Sequence, residues 1–250
     1  MGPQDEQLKH GAWQSIVAFQ RLLGRHGPDS RLLEHADFVA SLVPVSSGSL
    51  INAVAPRPGA RVAPHIHAIR DFYAKRRKWG VWLDPEQSED AQALRDHGLV
   101  LDSIPVLMAA PLADVEEPDD SAPIERITTA VVGEVNEAAY GNPPGVLTEA
   151  LTPLPTDEVH AYGIRADDTI VSVALIYDLD DDAFVTFVAT RPEHRGKRLA
   201  SNLLKHALDE ARQRGRHTTS LQASKLGQNI YARLGYRPLG EIHLYEKRPH

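Results

Sequence analysis

The sequence predicts an α/β (α+β) protein of two domains, with a mixed, mostly antiparallel twisted sheet flanked by helices. Two observations carry this prediction. The chain has 250 residues, which is comfortable for two domains and long for one. In its second half, three successive strand patterns are followed by helix, strand, helix and strand patterns, and this order gives a sheet covered by helices.

An acidic segment separates the two halves. Residues 113–123 read ADVEEPDDSAP, with five carboxylates, two prolines and no apolar periodicity. Such a composition is typical of an extended, solvated linker. The predicted organisation is therefore an accessory α/β domain over residues 1–112, an acidic linker over 113–123 and a second domain over 124–250.

The first half opens with a predicted helix, because Trp13, Ile16 and Leu23 follow an imperfect helical stripe and Gly27 ends it. Ser88, followed by two carboxylates, is a favourable start for a later helix. The predicted helices cover 6–25, 64–78 and 88–97, and the predicted strands cover 37–45, 49–55, 81–83 and most of 99–112.

The second half alternates more regularly. Acidic turns at 167–168 and 178–182 separate three strand patterns, which predicts an antiparallel meander. Four prolines between residues 143 and 155 predict a loop before this meander. The predicted strands cover 124–127, 159–165, 169–177, 183–190, 218–222 and 242–246, and the predicted helices cover 128–140, 197–214 and 227–234.

Composition narrows the classes of function. The formal net charge of −7 disfavours a nucleic-acid partner, because phosphate contacts need a basic surface. The absence of cysteine excludes disulfides, thiolate metal sites and a cysteine nucleophile. The first residues lack a signal-peptide pattern, and no apolar run of about 18 residues occurs. We therefore expect a cytoplasmic protein with no membrane partner.

The segment FVTFVATRPEHRGKRLA, residues 184–200, carries the strongest chemical signal. An apolar strand is followed by a polar turn and by a helix that begins near Arg198. Backbone N–H groups in such a turn, together with the positive end of the helix dipole, suit a pyrophosphate. Gly196 allows close backbone approach, and Arg195 and Lys197 add charge, as does Arg198. From these residues alone, an ordinary turn with solvated basic side chains fits equally well.

At this point a family resemblance emerges. RGKRLA, residues 195–200, resembles the acetyl-CoA pyrophosphate loop of the GNAT superfamily, Arg/Gln-x-x-Gly-x-Gly/Ala. LQAS at 221–224, Gly227, Tyr231 and LGY at 234–236 resemble the second conserved block of that superfamily. Both blocks stand in the family's order and spacing within residues 124–247. The resemblance implies an N-acetyltransferase that uses acetyl-CoA and a primary amine.

Arg198 departs from the family pattern, because it stands where the first signature glycine is expected. If the position needs a positive φ or contacts the diphosphate, arginine weakens the loop. If it lies in the first helical turn with its side chain outward, arginine is harmless. We favour the second interpretation, because Gly196 and Ala200 keep the loop small.

The resemblance also implies roles for single residues. The N–H of Val188 or of a neighbour polarises the thioester carbonyl, and Tyr231 protonates the departing thiolate. The alternative for Tyr231 is a structural role, in which its side chain packs on the sheet. Ser224 either binds pantetheine or caps the following segment. The implied cofactor-binding residues are Val188, Ala189, Thr190, Arg195, Gly196, Lys197, Arg198, Leu199, Ala200, Ser224 and Tyr231.

A general base is missing from the expected strand, which carries Thr186 and no carboxylate. Glu149, His160, Asp178 and the group 180–182 are candidates by rough position only. An acceptor amine that arrives deprotonated needs no dedicated base.

Histidines are numerous, but we expect no metal site. His65 and His67 would share a face only on a strand, whereas the pattern there predicts a helix start. No His-Glu-x-x-His, Gly-x-Ser-x-Gly or phosphate-loop motif occurs.

The first half bears a weaker resemblance to the same superfamily. The segments 79–85, 88–97 and 98–108 echo the end of the second half, whereas 60–64 lacks the pyrophosphate signature. We interpret the first half as a degenerate GNAT-like domain, which makes the chain a tandem; an unrelated α/β domain is the alternative.

Three functions stay open from the sequence: an acetyl-CoA-dependent N-acetyltransferase, a non-catalytic acyl-CoA-binding or regulatory protein, and a transferase with another acyl donor. The expected acceptor is a small-molecule amine. The expected assembly is a monomer or a homodimer.

Overall fold

The computed structural model describes residues 2–118, 123–225 and 227–248. The helices are α1 (Pro3–Arg25), α2 (Ile66–Phe72), α3 (Ser88–Asp96), α4 (Thr129–Tyr140), α5 (Val146–Leu151), α6 (Leu199–Gln213) and α7 (Gln228–Arg233). The strands are β1 (Arg31–Glu34), β2 (Phe38–Leu42), β3 (Ala53–Pro56), β4 (Trp79–Leu83), β5 (Leu99–Ser103), β6 (Val106–Pro111), β7 (Ile124–Arg126), β8 (Val159–Ala166), β9 (Thr169–Leu179), β10 (Asp182–Thr190), β11 (Thr218–Ala223), β12 (Arg237–Glu241) and β13 (His243–Lys247).

The strands form two sheets. The first has the order β1-β2-β3-β4-β13-β5, and the second has the order β12-β6-β11-β10-β9-β8-β7. Pairing is antiparallel apart from β3 with β4 and β10 with β11. Helices cover both sheets, so the predicted fold class of two mixed, mostly antiparallel sheets flanked by helices is confirmed.

The two halves of the chain exchange one strand each. The last strand, β13, lies in the first sheet between β4 and β5. In return, β6 of the first half lies in the second sheet between β11 and β12. The predicted boundary at 113–123 therefore divides the chain but not the sheets, and part of that segment, 119–122, lies outside the described residues.

One hydrophobic core is common to both halves. It joins Val39 and Trp82 of the first sheet to Val173 and Phe184 of the second, with α1, α4 and α5 packed on it. The outer faces of the sheets have separate cores, one with α2 and α3 and the other with α6. The shared core fixes the two sheets relative to each other.

Helix α1 occupies the middle of this shared core. Pro3 stands in its first turn together with Asp5 and Glu6, and Arg25 stands in its last turn, as the helix dipole favours. Its buried apolar side chains each stabilise the fold by about 1.5–3 kcal/mol when removed from water. These residues are Leu8, Trp13, Ile16, Val17, Phe19, Leu22 and Leu23.

Several predicted elements of the first half are wrong in extent, among them the strand predicted over 49–55, which begins only at Ala53. The helix predicted over 64–78 is a 3₁₀ turn at Ala63–His65 followed by α2, which ends at Phe72. Tyr73 follows α2, donates its hydroxyl to the Ser41 oxygen at 2.7 Å and stacks on Trp79. The strand predicted over 99–112 is β5 and β6, which belong to different sheets.

Helix α5 falls where the prolines predicted a loop. Its first N–H groups are bound by Glu137 of α4, whose carboxylate accepts from the N–H of Gly145, Leu147 and Thr148 at 2.6–2.9 Å. Burial raises the pKa of Glu137, but these hydrogen bonds outweigh it and lower the pKa overall. A cap supplied from another helix leaves no local sequence signal. Strands β1 and β12 were also not predicted.

Within the described residues, no helix combines the length and apolar composition needed to cross a membrane.

Candidate active site

Two parallel strands of the second sheet separate at the candidate site. β10 and β11 are paired over residues 182–185 and 218–221. β10 continues to Thr190 and β11 to Ala223, but no further pair joins them in the described part of the chain. The strands therefore leave a wedge between their carboxyl ends, where backbone groups are available to a ligand.

A β-bulge in β10 lies beside the wedge. The register with β9 shifts between Thr186 and Ala189, so that Phe187 and Val188 face a single residue of β9. Phe187 has a φ of 49°, in the left-handed region. The buried side chain of Asn136 supports this backbone by donating its Nδ2 to the Phe187 oxygen at 2.9 Å. Because a bulge removes a residue from the ladder, Val188 is released from regular pairing here.

The turn after β10 leads directly into α6. Residues 192–194 form a 3₁₀ turn, and Gly196 has a φ of 78°. The first α-helical bond runs from the N–H of Asn202 to the Arg198 oxygen at 3.1 Å. The N–H groups of residues 199–201 precede this bond, so they lack an intrahelical acceptor. Together with the helix dipole they are suited to bind an anion at the end of the wedge.

Arg198 adopts the left-handed conformation, with φ 60° and ψ 15°, immediately before α6. The expectation that it lies in the first helical turn is therefore wrong, since the helix begins at Leu199. Its side chain is exposed. Its backbone lies in a region that favours glycine, and this accounts for the glycine that the family signature has at this position. Arginine here carries a backbone cost of about 1–2 kcal/mol.

Replacing Arg198 by glycine is expected to raise the free energy of unfolding by about 0.5–1 kcal/mol, because the strain is relieved at some cost in unfolded-state entropy. Urea unfolding of Arg198→Gly beside wild type measures this. Arg198→Ala is the matched control, since it removes the same side chain and keeps the strained φ. Equal stability of the two variants would contradict the argument.

Arg195 has partners within the protein. Its Nε donates to the Thr190 oxygen at 3.1 Å, and its Nη2 donates to the Ala139 oxygen at 2.8 Å. Ala139 lies in the last turn of α4, where a cation complements the helix dipole. Arg195 thus ties the end of β10 to α4, and it is exposed, as are Lys197 and Arg198.

Tyr231 lies on α7, on the other side of the wedge, and lines the same cavity as Val188. Burial raises the pKa of the Tyr231 phenol above its ordinary value, and nearby Tyr140 adds to this effect. A Cβ on Gly227 would lie 3.0 Å from the Tyr231 ring, so glycine gives the ring its space. The phenol therefore stays protonated at neutral pH.

Ser224 combines the two roles that the sequence left open. Its Oγ accepts from the N–H of Gly227 at 3.3 Å, which caps the turn before α7. The residue also lines the cavity.

A cavity of about 590 Å³ lies at the wedge, between the two halves of the chain. The second half contributes residues 185–188 of β10, Gln222, Ser224 and Tyr231, with Asn136, Tyr140 and their neighbours on α4 and α5. The first half contributes the loop 46–51, Lys78 and residues 102–103. The site is therefore built by both halves.

Glu246, on the exchanged strand β13, lines the cavity on the side of the first half. Its carboxylate accepts from Ser49 Oγ at 2.6 Å, from Lys78 Nζ at 3.0 Å and from Arg248 Nε at 2.9 Å. Arg248 also donates to Asp102 Oδ1 at 2.7 Å. Burial raises the pKa of Glu246, but the three hydrogen bonds outweigh it and lower the pKa. This side of the cavity holds a network of two carboxylates and two cations.

None of the sequence candidates for a general base lines this cavity in the described part of the chain. Asp178 and the group 180–182 lie around the turn between β9 and β10, at the far end of β10 from Val188. Asp178 is bound by His160 and Arg214, which lower its pKa to about 2 against the effect of burial. Glu149 lies on the exposed face of α5.

Sequence reasoning missed Asn136, Glu246 and the loop 46–51. Asn136 offered a signal, because it is a polar residue inside the apolar stripe of α4. Glu246 and the loop offered none, because only the strand exchange and the packing of the halves bring them to the cavity.

The first half contains a corresponding pair of parallel strands. β3 and β4 pair from Ala53 opposite Gly80 to Val54 opposite Val81, and a cleft of about 660 Å³ follows their carboxyl ends. There, the indole N–H of Trp13 donates to the Pro56 oxygen at 2.6 Å. A side chain of α1 therefore already binds a strand carbonyl at this edge.

Beside that cleft, a carboxylate of the protein binds the backbone of the segment that leads into α2. Asp90 is fully buried and accepts from the N–H of Ala63 and from Arg61 Nε, both at 2.7 Å. Ala63 begins the 3₁₀ turn before α2, in the place that corresponds to the pyrophosphate loop of the second half. The backbone donor and the guanidinium are therefore both engaged by Asp90.

The geometry is that of two mixed sheets in tandem, with a wedge, a bulge and a helix start suited to an anion in the second. The profile described as "Acetyltransferase (GNAT) family" matches residues 134–236. No protein of curated function matches the sequence.

Solved structures similar to this chain carry the same architecture. A GCN5-related N-acetyltransferase from Kribbella flavida is 21% identical, with 96% of each chain covered and a TM-score of 0.72. A putative GNAT acetyltransferase from Novosphingobium aromaticivorans is 18% identical, with 100% of each chain covered and a TM-score of 0.58. A tandem GNAT protein from the clavulanic acid biosynthesis pathway is 14% identical, with 98% of this chain and 96% of that chain covered and a TM-score of 0.59.

Residues 134–236 therefore match the GNAT acetyltransferase family, and the fold of the chain as a whole is similar to that of tandem GNAT proteins. The family match supports acyl transfer as the general activity of the second half.

Proposed function

We propose that the second half transfers an acetyl group from acetyl-CoA to a primary amine. One observation carries the proposal: the Val188 bulge, the anion site at the start of α6 and the protonated Tyr231 surround a single wedge. The pyrophosphate would bind the N–H groups of 199–201 beside Lys197, and the pantetheine arm would enter between β10 and β11. The thioester would then lie next to Val188 and Tyr231.

The proposed reaction is a direct transfer in a ternary complex. The amine nitrogen attacks the thioester carbonyl carbon, and the carbonyl oxygen gains negative charge that the Val188 N–H stabilises. The C–S bond then breaks, and the departing thiolate takes a proton from the Tyr231 hydroxyl. The attacking nitrogen loses its proton to water, and the Tyr231 phenolate regains one from water. Glu246 and Asp102 both accept from Arg248, so they bind and orient the acceptor rather than act as free bases.

The proposed acceptor is a small-molecule amine that enters from the side of the first half. The loop 46–51 and the network around Glu246 lie across the cavity from the wedge. Because one chain supplies both the acetyl-CoA side and the acceptor side, we propose that a monomer suffices for activity.

The absence of cysteine makes the test direct. A thiol-reactive dye reports only released CoA, with no background from the protein. Purified protein with acetyl-CoA and a panel of primary amines is expected to release CoA with at least one of them. Acetyl-CoA binding without turnover on any amine would support a binding or regulatory protein instead, and turnover only with a longer acyl-CoA would support another donor.

Calorimetric titration tests the cofactor site separately. We expect one acetyl-CoA per chain, because Asp90 and Trp13 occupy the corresponding positions in the first half. Lys197→Ala is expected to weaken binding about tenfold, since it removes a charge-assisted phosphate contact. Lys75→Ala, which removes an exposed cation of the first half, is the matched control and should bind like wild type. Two bound molecules per chain, or no effect of Lys197→Ala, would contradict this placement.

A further inference from the structure

Three side chains that commonly bind transition metals meet on the first half, away from the wedge. His35 and Asp37 lie in the turn between β1 and β2, and His65 ends the 3₁₀ turn before α2. One potential ligand atom of each lies within 4.8 Å of the others. The sequence offered no motif for this cluster, because 28 residues separate Asp37 from His65.

The distances suit a shared cation. Asp37 Oδ2 lies 2.7 Å from His65 Nε2 and 3.5 Å from His35 Nδ1. Zinc binds imidazole nitrogen and carboxylate oxygen at about 2.0–2.2 Å in tetrahedral sites, which places neighbouring ligand atoms roughly 3.3 Å apart. One observed distance is shorter than that separation and the other is longer. Small side-chain rotations would therefore bring the three ligand atoms to the spacing that zinc needs.

The backbone holds the cluster in place without help from an ion. The N–H of Asp37 donates to His35 Nδ1 at 3.1 Å, and the N–H of Arg57 donates to the Asp37 oxygen at 2.7 Å. The single lone pair of His35 Nδ1 is therefore directed at the Asp37 N–H, next to the Asp37 carboxylate, and a bound ion would replace this hydrogen bond. The Arg57 guanidinium contacts Glu34 Oε1 at 3.3 Å and the His35 oxygen at 3.5 Å, so a neighbouring carboxylate compensates its charge.

A buried aromatic ring forms the floor of the cluster. Phe38 is 1% exposed, and its ring lies 5.1 Å from that of His35 and 5.6 Å from that of His65. The two imidazole rings lie 4.3 Å apart. His35 is exposed, and Asp37 and His65 are partly buried, so an ion can enter from solvent and keep a water in a fourth position.

We propose that His35, Asp37 and His65 bind one divalent transition-metal ion, zinc in the first instance. Two imidazoles and one carboxylate are a ligand set that zinc and related ions favour over magnesium or calcium. The ion would join the β1–β2 turn to the segment that leads into α2, which borders the cleft of the first half. Its role would be to stabilise that segment, independently of acetyl transfer in the second half.

Titration of tag-free, metal-free protein with ZnCl₂ against a chromophoric chelator tests the proposal. We expect one zinc per chain with a Kd below about 10 μM, and a rise in melting temperature with zinc. His65→Ala and Asp37→Asn should each weaken binding at least tenfold. Cobalt(II) should give the visible absorption of a tetrahedral complex, which these variants lose.

His206→Ala is the matched control. His206 contacts Glu210 at 3.2 Å, but among the described residues this pair does not belong to a cluster of three possible metal ligands. It should bind zinc like wild type. Binding weaker than about 100 μM, no saturation at one equivalent, or equal affinity in wild type and His65→Ala would overturn the proposal. Circular dichroism of each apo variant separates loss of a ligand from loss of the fold.

Discussion

Tyr231→Phe is expected to lower kcat by about 10²–10⁴-fold, the usual contribution of a positioned general acid. The variant removes one oxygen from the cavity and leaves the ring beside Gly227 in place. Acetyl-CoA affinity should therefore change little, since the wedge and the α6 start do not involve the hydroxyl. Steady-state CoA release and calorimetric titration of the same preparation measure the two quantities.

Tyr236→Phe is the matched control for this substitution. Tyr236 lies 5.9 Å from Tyr231, but its hydroxyl is paired with Thr219 Oγ1 at 2.7 Å inside the core. We expect it to cost stability and to leave kcat near wild type. If Tyr231→Phe kept full kcat, or if both variants lost it equally, Tyr231 would not be the proton donor.

The pH dependence of kcat follows from the same group. Burial raises the pKa of Tyr231 above its ordinary value of 10.0. The proton-donating form is the protonated one, so activity that depends on it is lost only as pH rises through the raised pKa. The acid should therefore cause no fall in kcat between pH 7 and 9.5. A fall in this range that persisted in Tyr231→Phe would belong to another group.

The local part of the site could be predicted from sequence. An apolar strand, the turn containing Gly196 and the amphipathic α6 follow one another along the chain, so propensity and pattern were enough. The backbone of Arg198 was misjudged, because an arginine in the left-handed region contradicts residue preference. The left-handed conformation of Arg198 is seen only in the folded chain, where the residue directly precedes the helix that begins at Leu199.

The non-local part could not be predicted. β6 and β13 both have the hydrophobic pattern of a strand, but such a pattern does not identify the neighbouring strand. Glu246 consequently had no visible relation to the wedge. The cap of α5 by Glu137 and the cluster of His35 with His65 have the same cause, since each combines residues from different elements of the fold.

The strand exchange has a large consequence for folding. A fragment spanning residues 123–250 is expected not to fold alone. Without β6, strand β12 loses its described partner and β11 loses one neighbour. Without β4 and β5, β13 exposes Leu244 and Tyr245. Each large apolar side chain left in water costs about 1.5–3 kcal/mol, and a domain's total stability is about 5–15 kcal/mol. Far-UV circular dichroism and size-exclusion chromatography of the fragment measure the outcome.

Reassociation distinguishes strand exchange from a merely unstable fragment. An equimolar mixture of residues 1–118 and 123–250, refolded together, is expected to recover a compact complex that binds acetyl-CoA, because each fragment supplies the strand that the other lacks. The intact chain should unfold in urea as one transition, since α1 and both exchanged strands join the sheets through a common core. A folded, monomeric 123–250 fragment that binds acetyl-CoA by itself would show that its sheet can close without β6, and the two halves would then be independent domains.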